Sequence, residues 1–274
     1  MQRLVPTVLV TRPGKQALAW VRDLCAFGVD AIAAPLITIA EAPDPAAVDA
    51  AWTTIEAWSM FVFVSPNAVS QFFARRPAAR AWPPRLRAAA PGPGTSALLL
   101  EHGVPAELLV EPAADAPNFD SEALWLQLRD SSWRGTQVLI VRGEDGRGWL
   151  AERLREAGAE VRFLAAYSRG EPLPPEPVRQ TMQQALALPA DHLWFFSSSE
   201  AVSNLLQLQL MVDGELRSAL SRSRALATHP RIAETAHAAG FGTVLQCRPG
   251  LPEVVACIQS LASLDCSSAF RRVT

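Results

Sequence analysis

Lysine is almost missing from this chain. Lys15 is the only one among 25 basic residues, and 27 acidic residues bring the formal net charge to −2. A balance this close to neutral argues against the basic surfaces that hold nucleic acid or anionic membranes. Cysteine is also sparse: Cys25, Cys247, Cys257 and Cys266 are scattered, with no Cys-x-x-Cys spacing and no histidine beside them. Metal centres and disulfide frameworks are therefore not expected, and a reducing compartment fits. Apolar runs stay far below the ~18 residues of a membrane helix. The first of them, Val8-Leu9-Val10, is strand-length rather than the core of a signal peptide. A cytoplasmic protein that neither spans nor binds a membrane is the expectation. Familiar catalytic sets are lacking too, with no Gly-x-Ser-x-Gly elbow, His-Glu-x-x-His or Asp-x-Asp. The run from Gly143 to Gly148 has a Gly-x-x-Gly-x-Gly order without a Lys-Ser ending, so it is no phosphate loop. Tyrosine occurs once, at Tyr167.

What is present is apolar material in repeated form. Hydrophobic residues make up 49% of 274 positions and charged ones 19%, enough for two cores at a length where one core usually splits. Three stretches recur. Leu9-Val10-Thr11-Arg12-Pro13 with Gly28-Val29 reappears as Leu139-Ile140-Val141-Arg142-Gly143 with Gly158-Ala159. The segment 61–72 matches 194–205, and 88–104 matches 225–241. Repeats at this spacing point to a duplicated α/β domain rather than a solenoid. Their order is shuffled, as if the chain leaves one domain after two strands, builds the other, and returns. The expected division is residues 1–35 with 170–262 as one domain and 40–164 as an inserted second. Linkers at 36–39 and 165–169 would pair as a short antiparallel ladder, and 263–274 would be a fraying tail.

Strands are expected at 7–11, 29–34, 60–64, 87–90, 107–110, 137–142, 160–167, 192–197, 224–228 and 243–247. Met60-Phe61-Val62-Phe63-Val64 and Val138-Leu139-Ile140-Val141 are continuous apolar runs, suited to parallel strands covered on both faces. Helical patterns lie between them, with Ser121 and Ser199 placed as caps before Glu-Ala. Alternation of strand and helix implies right-handed βαβ units and parallel sheets, five strands to each domain.

Ligands of such sheets bind beyond the carboxyl ends of the strands. Those positions carry Thr11-Arg12-Pro13, Ser65-Pro66-Asn67, Gly92-Pro93-Gly94-Thr95, Arg142-Gly143, Ser197-Ser198-Ser199 and Thr228-His229-Pro230-Arg231. Small hydroxyls, glycine and arginine at helix N-termini make anion sites, and together they suit a large polyanion. Each taken singly is equally served by a capping or turn role. His229 is the one histidine placed for chemistry, with capping as its competing account; His102 and His237 fall on helix surfaces. Tyr167 lies in the return linker, over the cleft expected between the domains. There a phenol can donate a proton to a leaving group, or serve as an interface aromatic with its hydroxyl satisfied.

Taken in order, these motifs resemble the uroporphyrinogen-III synthase family. They are Val10-Thr11-Arg12-Pro13, Val64-Ser65-Pro66-Asn67-Ala68-Val69, Gly92-Pro93-Gly94-Thr95, Ser121-Glu122-Ala123-Leu124, Leu139-Ile140-Val141-Arg142-Gly143, Gly158-Ala159-Glu160-Val161 leading to Tyr167, Ser198-Ser199-Glu200-Ala201-Val202 and His229-Pro230-Arg231-Ile232-Ala233. The resemblance covers residues 7–261. It implies two flavodoxin-like α/β domains with parallel sheets, joined by a two-stranded antiparallel ladder. It implies closure of hydroxymethylbilane to uroporphyrinogen III, with inversion of ring D and loss of water through a spirocyclic pyrrolenine, in heme biosynthesis. Neither metal nor organic cofactor is implied. Tyr167 becomes the candidate acid. Arg12, Ser65, Asn67, Gly92, Thr95, Arg142, Gly143, Ser197, Ser198, Thr228 and His229 become candidate contacts to the substrate's carboxylates and rings. A monomer is expected, with transient handover from hydroxymethylbilane synthase. Pro91 and Arg169 depart from the family's pattern; Arg169 follows the tyrosine by two positions rather than one. Two other readings remain: a non-catalytic two-lobed module binding an anionic metabolite, and a nucleotide-dependent transferase, which the missing phosphate loop disfavours.

Overall fold

A computed structural model of the chain describes residues 5–170 and 172–270. Its strands are β1 (Thr7–Val10), β2 (Ala31–Ala33), β3 (Thr38–Ala40), β4 (Met60–Phe63), β5 (Arg87–Ala89), β6 (Leu109–Val110), β7 (Gln137–Gly143), β8 (Glu160–Gly170), β9 (His192–Phe196), β10 (Arg224–Ala227) and β11 (Thr243–Gln246). Internal contacts divide the chain into two compact units, Met1–Thr38 with Gly170–Thr274, and Ile39–Arg169.

The first unit holds the sheet β11-β10-β9-β1-β2, and every pairing in it is parallel. Counted along that unit's own chain, the order is 2-1-3-4-5, one of the two common doubly wound orders. The sheet is apolar on both faces. Val8, Val10, Leu193, Phe195 and Leu226 pack on one side with Leu24, Val254 and Ile258. Their neighbours Leu9, Trp194, Phe196 and Ala225 are just as deeply buried, which is why the strands read as continuous runs instead of alternating ones.

The second sheet runs β3-β8-β7-β4-β5-β6, with β4, β5, β6, β7 and β8 in parallel pairs. Set β3 aside and count from β7: the order is again 2-1-3-4-5, circularly permuted. The sequence repeats follow the permutation. The unit holding β1 and β2 matches the one holding β7 and β8, β9 matches β4, and β10 matches β5. Side chains of β4 alternate between two cores. Phe61 and Phe63 join Trp52, Phe72, Phe73 and Trp82, while Met60 and Val62 face Leu124, Leu150 and Leu154.

Four local expectations need correction. β3 is an eleventh strand and the sixth of its sheet, where five were expected; it lies in the outward linker, read as β-prone, and neighbours β8, which runs on through 165–169. Helix Ser121–Leu128 is capped by Asp120, whose carboxylate accepts from the Ala123 amide at 2.8 Å. Helix Ser199–Gln207 is capped by Ser198, which accepts from Glu200. In both cases the cap precedes the serine expected, because the oxygen must reach the second or third amide of the helix. Finally, helix Leu251–Phe270 continues through 263–270, where a tail was expected; no glycine or proline interrupts that stretch.

Candidate functional site

In the second unit, Ser65, Gly143 and Tyr167 come together beyond β4, β7 and in β8, and Gly92 follows β5, the strand beside β4. Ser65 follows β4 as the N-cap of helix Pro66–Ala74. Its backbone is extended, Pro66 opens the helix, and its Oγ accepts from the Ala68 amide at 3.2 Å. Gly92 holds the same place before helix Pro93–Glu101, with its carbonyl accepting from the Thr95 and Ser96 amides.

Tyr167 arrives by an irregularity. The register of β7 on β8 pairs Arg142 with Ala165, then Gly143 with Tyr167, so Ala166 is an extra residue. Such a bulge re-aims a side chain. The Glu144 amide donates to the Tyr167 carbonyl at 3.0 Å and holds the shifted register. The ring then lies over Gly143: a Cβ there would sit 3.0 Å from both Cε2 and Cζ. Glycine at 143 is explained by ring clearance, not by turn geometry.

The phenol is fully buried and held from two sides. Its Oη lies 3.1 Å from Ser65 Oγ, either of which can donate. Arg169 donates from Nη2 at 3.2 Å, with its guanidinium carbon 5.6 Å from the ring centre. Ser65 already accepts from Ala68; with Ser65 and Arg169 both donating to Oη, the phenol proton has no acceptor from either of them and can be given to a ligand. Sequence reading had treated Arg169 only as a departure. The available signal was alternation: residues two apart on a strand share a face.

The remaining candidates of this unit divide. Asn67 is half-buried in the first turn after Ser65, and Thr95 is buried at 4% exposure inside its helix. Arg142 turns back on its own loop. Nε donates to the Gly143 carbonyl and Nη2 to that of Glu144, and the guanidinium lies 4.6 Å from the Phe163 ring centre. On β7, Val138 and Ile140 belong to one core and Leu139 and Val141 to the other. By that alternation Arg142 falls on the face opposite Tyr167.

In the first unit, Arg12, Ser197, Ser198, Thr228 and His229 follow the adjacent strands β1, β9 and β10. Thr11 ties β1 to β9 by donating to the Phe195 carbonyl at 2.7 Å. Arg12 lies 4.5 Å from the Trp20 ring centre and 5.9 Å from that of Phe195, and its buried Nε has no partner. Burial without an anion lowers its pKa to about 10. His229 caps helix Pro230–Ala238, its Nδ1 accepting from the Arg231 amide. That is the capping account of His229. Thr228 is buried and Ser197 half-buried. His102, expected on a surface, is half-buried and stacked on Phe73 at 4.5 Å; its flat ring fits the aromatic cluster beneath it. His237 is exposed. Burial pushes the Cys247 thiol up to about 12, which makes it a poor nucleophile. Among the described residues no helix is long and apolar enough to cross a membrane.

The family model for uroporphyrinogen-III synthase HemD matches residues 19–255. The chain belongs to the uroporphyrinogen-III synthase family. Among curated relatives, the uroporphyrinogen-III synthase of Chlorobaculum parvum is 33% identical over 177 residues, which are 62% of this chain and 65% of that protein. The chain thus matches just under two thirds of that relative's length. Two solved structures share the fold. A mutant uroporphyrinogen III synthase from Thermus thermophilus has TM-score 0.54 at 16% identity, covering 95% of this chain and 99% of its own. The synthetase from Helicobacter pylori has TM-score 0.55 at 14% identity, covering 96% and 100%. At such identities the likeness is one of fold, and the family's site residues have to be argued from the geometry above.

Proposed function

We propose that this chain is a uroporphyrinogen-III synthase, closing hydroxymethylbilane with inversion of ring D and loss of water. The observation that carries the reading is the one tyrosine, set by a bulge against Gly143, with its Oη between Ser65 and Arg169.

The chemistry asks for modest catalytic power. The pyrrole nitrogen pushes out the hydroxymethyl oxygen. As that C–O bond breaks, the Tyr167 proton passes to the oxygen, water departs, and an electron-poor azafulvene remains. Arg169 and Ser65 stabilise the negative charge left on Oη. Ring D is attacked at its substituted carbon, and the spirocyclic pyrrolenine fragments and recloses in the inverted sense. The proton lost as the last pyrrole regains aromaticity restores the phenol, so water is the net loss. Left alone the linear substrate closes without inversion. Holding one attack geometry is therefore the main task, and orientation can supply it. Arg12, Ser197, Ser198, Thr228, His229, Asn67, Thr95 and the amides after Gly92 and Gly143 are assigned to the substrate's carboxylates and rings. Arg142 is assigned to bracing the loop after β7. No residue of this scheme requires a metal or organic cofactor.

The finer architecture belongs to the same proposal. The two units are taken as flavodoxin-like domains, joined by an antiparallel ladder of the segments around 38–41 and 168–170. Support comes from Ser168, whose amide and Oγ both donate to the Glu41 carbonyl. A cytoplasmic monomer that receives substrate from hydroxymethylbilane synthase completes the reading.

The test is to supply freshly generated hydroxymethylbilane, oxidise the products and separate the uroporphyrin isomers. Predominant isomer III with protein, against isomer I without, is the expected result. Isomer I in both tubes would sink the synthase and leave a module that binds and releases its anionic ligand unchanged.

A further inference from the structure

Phe119 is a large aromatic side chain outside both cores of its unit. It is half-buried, and among the described residues it joins neither the cluster around Phe61 and Phe72 nor the one around Leu124 and Leu150. Its place before the Asp120 cap is that of a hydrophobic staple, which would pack on Leu124. Leu124 faces one side of the sheet, yet Phe119 lies over Gly92, where a Cβ would sit 3.1 Å from its Cβ and 3.7 Å from its Cγ. Gly92 is thus the counterpart of Gly143. Each of these glycines carries an aromatic side chain on its open side.

Register draws the two glycines into one row. β4 pairs with β5 as Val62 on Ala89 and with β7 as Phe63 on Val141. Carried past the strand ends, both registers arrive at Ser65, with Gly92 on one side of it and Gly143 on the other. Ser65 and Gly92 keep extended backbones there, and Gly143 pairs with Tyr167. Phe63, Ala90 and Val141 share a core with Tyr167. Two residues on from each, Ser65, Gly92 and Gly143 fall on that same face. The row reads Phe119 on Gly92, then Ser65, then Tyr167 on Gly143. Its ends are two strand spacings apart, about 10 Å. One pyrrole fits between two such side chains at contacts of roughly 3.5–4 Å on either side. We propose that Phe119 is a specificity-determining residue, the wall of a one-ring slot that ends at the acid, Tyr167.

The reaction gives that wall a task. The hydroxymethyl carbon has to lie against Tyr167, so the attacking ring D fills the slot toward Phe119. Ring D has two carbons beside its nitrogen, one bridged and one open. Attack from the open carbon, which regains aromaticity by losing one proton, is what happens in water and gives no inversion. Attack from the bridged carbon gives the spirocyclic pyrrolenine. A slide of part of a ring's width exchanges the two, and bulk at Phe119 denies the slide. Specificity of this kind comes from excluding the wrong pose. A wall needs bulk and a fixed place rather than a free face, and the bare Gly92 beneath it fixes the place.

The inference rests on the synthase reading, and one measurement separates the two failures. Enzyme in excess over freshly generated hydroxymethylbilane is quenched after a single turnover, before free substrate closes by itself, and the oxidised uroporphyrin isomers are separated. Wild type should give isomer III. Phe119→Ala should lower the ratio of isomer III to isomer I roughly 10- to 200-fold, the discrimination that one group filling an apolar pocket supplies, while kcat and the melting temperature change less. Phe119→Leu, which restores bulk without the ring, should recover part of the ratio, and it carries the test if the alanine variant does not fold. A wild-type ratio in these variants overturns the wall and leaves the synthase standing. So does a loss of kcat with the ratio intact, the mark of a structural staple. Isomer I from the wild type itself sinks the synthase and the wall together.

Discussion

At the scale of single residues, three side chains have outcomes that the geometry fixes in advance. Tyr167→Phe keeps the ring over Gly143 and removes the proton. Turnover should fall about 100- to 10,000-fold, the range of one general acid, with the melting temperature little changed; unchanged turnover would reject Tyr167 as the acid. Gly143→Ala pushes a methyl against Cε2 and Cζ, and overpacking of this kind costs roughly 1–3 kcal/mol. The loss should shrink when Tyr167→Ala is made as well, and a double-mutant cycle in denaturant measures it. An unaltered loss would place the clash elsewhere. Arg12 works in the opposite sense. Its folded pKa is lowered to about 10, so the unfolded chain holds that proton more tightly. The desolvation cost is present at every pH below about 10 and is relieved only as pH rises through that value. Arg12→Met should therefore raise the melting temperature at pH 7 while it raises KM. A lower melting temperature would mean that the contacts with Trp20 and Phe195 outweigh the burial.

At the scale of elements, the helices of the second unit show what pattern reading captures and what it leaves out. The apolar run of β4 and the Ser-Pro pair after it were enough to place strand, cap and helix, since each depends on neighbours within a few residues. The Asp120 cap was missed because aspartate and serine stand side by side and both are good caps. His102 was missed for a different reason. Its stacking partner Phe73 lies on another helix, and no local period carries that contact. Burial, then the charge of Arg76, lowers the His102 pKa. A histidine with a lowered folded pKa takes up its proton more readily when unfolded, so stability is intact above about 6.5, its ordinary value, and is lost as pH falls below it. Thermal melts from pH 7.5 to pH 5 should show that loss. His102→Phe, which keeps a ring on Phe73, should remove part of it; identical slopes would assign the acid sensitivity to other groups.

At the scale of the molecule, the permuted strand order explains why the sequence repeats are shuffled. One sheet begins with β1 and β2 and completes itself with β9, β10 and β11. The other closes with β7 and β8, the pair equivalent to β1 and β2. The connecting segments test this arrangement directly. The Ser168 amide, bonded to the Glu41 carbonyl at 3.2 Å, should exchange its hydrogen slowly. Exchange at the rate of an open chain would count against a ladder there.

Composition and pattern by themselves determined the class of this protein: parallel α/β built from recurring strand–helix units, with hydroxyls, glycine and arginine after its strands and no metal motif or phosphate loop in the sequence. Those properties follow from hydrophobic period, from glycine and proline, and from residues present or missing, all local to the chain. Tertiary structure decided what joins residues distant along it. A one-residue slip between β7 and β8 turned Tyr167 onto Gly143, folding placed Ser65 beside a phenol 102 positions away, and alternation put Arg142 on the opposite face. Such contacts depend on register and on the fit of one side chain against another, and neither has a period that can be read along the sequence.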